Sequence, residues 1–105
     1  MKKSINNKRI PNKIEKEIRE AASIFSNAPT VRRDVTGYYV TLAIFNEHTD
    51  MLTFAEIDTV REVVDKYAKD YKDISYWIKT TPMWSRLTQD WYYIPCMEVI
   101  IKLDK

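Results

Sequence analysis

The chain predicts an α+β domain, two main helices packed on a small three-stranded sheet, and three observations carry that prediction. Apolar residues recur at helical spacing at Ile14, Ile18, Ala21, Ala22 and Phe25. A second helical run follows a capping box formed by Thr53 and Glu56. Runs of β-branched and aromatic residues stand between and after the helices, the strongest over 38–45. At 105 residues and 45% hydrophobic, the chain is long enough for one core that buries roughly two-thirds of the unfolded surface.

The first helix is expected over 11–26. Pro11 suits a first turn, charged residues such as Glu15, Lys16, Glu17 and Arg19 fall on the face opposite the apolar stripe, and Pro29 blocks continuation. Residues 28–36 read as a connection carrying Arg32 and Arg33. The first strand begins after Gly37 with Tyr38, Val40, Leu42 and Ile44 on one face. Its other face, Tyr39, Thr41, Ala43 and Phe45, is also fairly apolar, which marks a central or doubly covered strand. The second helix is expected over 53–70, with Ile57, Val60, Val64, Tyr67 and Tyr71 at three- and four-residue steps. Alternation of Ile74, Tyr76 and Ile78 with Ser75, Trp77 and Lys79 predicts a strand over 73–80, which Thr80, Thr81 and Pro82 break. Residues 83–90 link it to a last strand with Tyr93, Met97, Val99, Ile101 and Leu103 on one face, and Pro95 sets the start of that strand at an edge or bulge.

Composition excludes much chemistry. One glycine leaves no Gly-rich phosphate loop, and one cysteine with one histidine leaves no four-ligand zinc site in a single chain. No metal or cofactor is expected. Cys96 lies in an apolar strand-like run and reads as a small core residue. No stretch of about 18 apolar residues crosses a bilayer and no signal peptide is evident, so a cytoplasmic protein without membrane contact is expected.

The net charge of +2 is unevenly placed. Lys2, Lys3, Lys8, Arg9 and Lys13 precede the first acid, so residues 1–10 read as a basic flexible arm and 11–105 as the single domain. Such an arm has the composition of a segment that tracks phosphates, and also that of a solvated chain end. Trp84 and Arg86 fall in the link between the last two strands, where a planar aromatic and a guanidinium stack on bases and meet phosphates. Glu47, His48 and Asp50 share one loop. They suggest a metal-dependent nuclease centre, against the simpler reading of a polar turn.

The order helix, strand, helix, strand, long loop, strand resembles the winged helix-turn-helix fold, a DNA-binding family whose last two strands are joined by a loop called the wing. That resemblance implies a wing at 81–91 with Arg86 as its basic contact. The acids Glu56, Asp58, Glu62 and Asp65 on the second helix repel a DNA backbone, so contact is assigned elsewhere. The expected DNA-contacting set is Lys8, Arg9, Lys13, Arg32, Arg33, Trp84 and Arg86.

The function expected on these grounds is DNA binding, not catalysis, by a small accessory or regulatory protein acting as a homodimer. Phe, Tyr, Met, Ile, Asn and Lys, whose codons are rich in A and T, together make up a large share of the chain and point to an AT-rich bacterium, plasmid or phage. The alternative is an inhibitor or adaptor that binds a host protein through the aromatic-rich second half of the chain.

Overall fold

A computed structural model describes residues 2–27 and 29–104. Met1 and Lys105, at the ends of the expected arm and domain, and Ala28, in the connection after the first helix, lie outside the described residues. The elements are α1 (Arg9–Ala22), β1 (Thr30–Arg33), β2 (Tyr39–Ile44), α2 (Phe54–Ala68), β3 (Ile74–Ser85) and β4 (Asp90–Lys102). The fold is α+β, and the sheet has four strands in the order β1-β2-β4-β3, every neighbouring pair antiparallel.

The fourth strand is β1, which the sequence reads as a connection. Its four residues, Thr-Val-Arg-Arg, carry too short an apolar pattern to show a period, and their extended form comes from pairing with Arg33 opposite Val40 and Thr30 opposite Ala43. The turn that joins it to β2 uses the one glycine at φ 74°, a left-handed conformation that a Cβ disfavours. Asp34 organises the same turn, accepting from the Thr36 hydroxyl at 2.6 Å and the Tyr39 amide at 3.2 Å.

Both helices lie on one face of the sheet. Ile14, Ile18 and Ala22 of α1 and Val60, Val64 and Tyr67 of α2 share a buried core with Val40, Leu42 and Ile44 of β2 and Met97, Val99 and Ile101 of β4. Helix α1 stops at Ala22, earlier than expected, and the Ser23 hydroxyl takes the Glu20 carbonyl at 2.9 Å. Phe25 still reaches the core from the turn that follows. Helix α2 starts as its capping box dictates. The Glu56 amide donates to the Thr53 hydroxyl at 3.2 Å, and the Thr53 amide donates to the Glu56 carboxylate at 2.9 Å.

Residues 2–8 do not run free as the expected arm. Lys3 and Ile5 form parallel bridges with Tyr71 and Leu103, tied by backbone hydrogen bonds from Lys3 to Asp70, Lys72 to Lys3 and Asp104 to Ile5 at 2.6–2.9 Å. Ile5 is fully buried in the core. One apolar side chain inside a basic run therefore anchors the segment, because it gains burial that its charged neighbours do not oppose.

The expected loop at 81–91 is mostly strand. β3 continues through Pro82 to Ser85, and only residues 86–89 turn, with Gln89 at φ 53°. Pro82 is tolerated because β3 is an edge strand. Pro95 sits beyond the last β2 pair, Ile44 with Met97, so no strand waits on its other side. Past that pair the two strands run on as a two-stranded ribbon, Lys79–Ser85 against Asp90–Cys96, about 23 Å long at the usual rise per residue; on its helix-free side Ile94 is buried, and Met83, Tyr92 and Ile94 line a pocket with residues 45–50. This overhang stretches the molecule to 50 × 31 × 18 Å.

Candidate functional site

The helix-free face of the sheet is built by strand alternation. Residues opposite in phase to Leu42 and Val99 project there: Arg32 from β1, Tyr39 and Ala43 from β2, Trp77 and Lys79 from β3, and Cys96, Glu98 and Lys102 from β4. Glu98 stands at the centre, between Ala43 on one side and Trp77 on the other.

A carboxylate in the middle of a sheet must be paired to remain charged. The Trp77 indole Nε1 donates to Glu98 Oε1 at 2.9 Å, the Lys79 ammonium reaches Oε2 at 3.0 Å, and Arg32 Nη2 approaches the same oxygen at 3.4 Å. These three side chains cover the carboxylate, which is only 5% exposed, while Arg32 and Lys79 remain 69% and 43% exposed. Two cations thus share one screened acid, and both keep donors facing solvent.

Around this centre the face is aromatic and cationic. Tyr39, Trp77 and Tyr92 are exposed on it, and Lys102 extends the positive row. The acids that its strands contribute are Glu98, which is covered, and Asp90, at the far end of the ribbon. A shallow cleft of about 440 Å³ opens between Arg32 and Lys79, with Ala43, Cys96 and Glu98 on its floor and Phe45 and Met83 among its walls. Burial pushes the Cys96 thiol up and the nearby Glu98 charge adds to it, so the sulfur stays a protonated packing group.

The expected contact residues do not gather into one strip. Lys8 and Arg33 flank a small pocket with Gly37 and Leu103, and Arg33 donates to the Asn12 side chain at 3.2 Å. Arg9 and Lys13 belong to α1, where the Lys66 hydrogen bond holds the Glu17 carboxyl low and the Lys13 charge adds a little. Trp84 and Arg86 stand at the other end of the molecule. Eleven residues of β4, about 36 Å, separate the level of Arg33 from the turn. Trp84 meets Trp91 edge to face, with ring centroids 5.3 Å apart. Of the expected set, Arg32 alone belongs to the helix-free face.

Lys79, Lys102, Tyr39, Trp77 and Tyr92 were not among the expected site residues. Their alternation is visible in the sequence, but which face the helices leave open is not. Glu47, His48 and Asp50 are exposed on a turn whose amides, those of His48 and Thr49, donate to the Asn46 side chain at 2.8 and 3.1 Å. Among the described residues no group of three His, Cys, Asp or Glu side chains is placed to hold a metal ion, and no helix is long and apolar enough to cross a membrane. No protein-family model, curated protein or solved structure matches the chain.

Proposed function

We propose that the chain is a small DNA-binding accessory or regulatory protein that holds single-stranded or locally opened DNA across the helix-free sheet face. The observation that carries this reading is the combination of exposed Arg32, Lys79 and Lys102 with exposed Tyr39, Trp77 and Tyr92 around a carboxylate already covered by its own partners. Aromatic side chains on a flat sheet stack on unpaired bases, each stack worth about 1–3 kcal/mol, while the cations follow the phosphates. The turn of the β3–β4 ribbon, expected as a wing, adds Arg86 at its tip.

Geometry favours unpaired strands over an intact duplex. Helix α2 carries exposed Glu62 and Asp65 and is unsuited to a major groove, whereas a shallow platform admits splayed bases. Fluorescence anisotropy with labelled single-stranded and duplex oligonucleotides over a salt series tests the proposal. Contacts from Arg32, Lys79 and Lys102 give a slope of log affinity against log salt of about −2 on single strands. Trp77→Ala weakens binding about tenfold or more. Binding that ignores salt, or none at micromolar protein, removes the reading.

A protein-binding role is favoured by a different observation, the uncharged aromatic face of the β3–β4 ribbon.

A further inference from the structure

We infer that the ribbon's helix-side face is the contact surface between two copies of this chain, related by a two-fold axis. This inference does not rest on the DNA-binding reading, which uses the opposite face of the same sheet. The helices shield the sheet only as far as Met97 and leave the ribbon beyond it uncovered.

Alternation places Ile78, Pro82 and Trp84 of β3 and Trp91 and Tyr93 of β4 on that side, with no charged residue among them. Trp84, Trp91 and Tyr93 are 52%, 58% and 68% exposed, and Leu87 at the turn is exposed almost completely. Taking about 150–250 Å² for a whole aromatic side chain, the three aromatics expose about 270–450 Å², and Leu87 with the half-exposed Ile78 brings the face to on the order of 600 Å² of apolar surface per copy. That is at the upper limit of the single apolar patch a monomer usually shows. Two such faces together can bury at most about 1,200 Å², the area at which specific dimers begin to be stable.

The second copy is the occupant for a reason of symmetry. In a two-fold contact each residue meets a residue of the same set, so any charge in the set risks facing its own kind. An uncharged ribbon carries no such penalty. The Trp84–Trp91 pair, already fixed edge to face, presents a rigid surface that loses little side-chain freedom on association.

Sedimentation equilibrium of the full chain tests this. The expected result is a reversible dimer, twice the 12.5 kDa chain mass, with a dissociation constant in the micromolar range. Trp91→Lys and Tyr93→Lys each weaken the dimer at least tenfold while the far-ultraviolet circular dichroism stays native, because neither side chain belongs to the core. Wild-type protein that sediments as a monomer at every concentration overturns the inference. So does a dimer that survives both substitutions, since it must then use another surface such as the β3 edge. Oligonucleotide binding measured on the same samples keeps the two proposals apart: wild-type protein that stays monomeric and still binds counts against this one only, and a dimer that binds no oligonucleotide counts against the DNA-binding reading only.

Discussion

The Trp77 indole and the Glu98 carboxylate, 21 residues apart in the chain, meet at 2.9 Å on adjacent strands and turn a buried acid into the organising centre of an open sheet face. Without Glu98, the Lys79 and Arg32 side chains have no shared anchor, and the platform between them loses its fixed spacing.

Glu98→Gln removes the charge while leaving an acceptor for Trp77. Both cations are largely exposed and rehydrate once released, so the cost is that of charge-assisted hydrogen bonds and not of a stranded buried ion, about 2 kcal/mol. Urea unfolding should show a lower midpoint with an unchanged slope. Wild-type stability in this variant means that the three contacts are surface pairs of no consequence.

Ile5→Ala tests whether the amino-terminal segment belongs to the fold. A buried isoleucine truncated to alanine costs about 2–5 kcal/mol, whereas the same change in a free arm costs nothing. The same denaturation experiment distinguishes the two, and amide exchange at Leu103 and Asp104 should accelerate with the loss of their neighbour.

Acid should destabilise the α1–α2 contact. The Lys66 hydrogen bond to Glu17, at 2.6 Å, holds that carboxyl below its ordinary range, with Tyr67 assisting. A carboxylate lowered in the folded state contributes stability that is complete above its unfolded pKa and fades as pH falls through the folded one. The melting temperature should therefore drop between about pH 5 and pH 3, and Glu17→Gln should flatten that drop. At the alkaline end burial, with Glu17 beside it, raises the Tyr67 phenol well above the usual tyrosine value, so its ionisation should appear only together with unfolding. An ultraviolet absorbance titration that ionises every tyrosine in the native state contradicts the placement.

Trp84→Ala should loosen the ribbon and little else. The edge-to-face pair with Trp91 is worth about 0.5–1.5 kcal/mol, but the ribbon is separate from the core, so the global midpoint should barely move. Amide exchange over residues 80–95 should rise while that of β2 stays slow.

Local chemistry made some elements legible in the sequence and hid others. The Thr53 and Glu56 capping box acts within one turn, so α2 begins where the sequence places it. The alternation of Val40, Leu42 and Ile44 marks the core face of β2 for the same reason. β1 was not legible, since Thr30–Arg33 becomes a strand only through β2. Pro82 read as a strand break because its exemption, an edge position, depends on the strand order. The candidate site was the least visible of all. Arg32, Trp77, Lys79 and Glu98 carry no shared motif, and only the register of four strands brings them together.

The most direct test of the account is a nitrogen-15 and proton correlation spectrum recorded as a short single-stranded oligonucleotide is added to labelled protein. The account predicts shifts concentrated at the Trp77 indole and at the amides of Tyr39, Lys79, Glu98 and Lys102, with the exposed faces of α1 and α2 silent. Shifts confined to the helices, or a spectrum unchanged at saturating oligonucleotide, would contradict it.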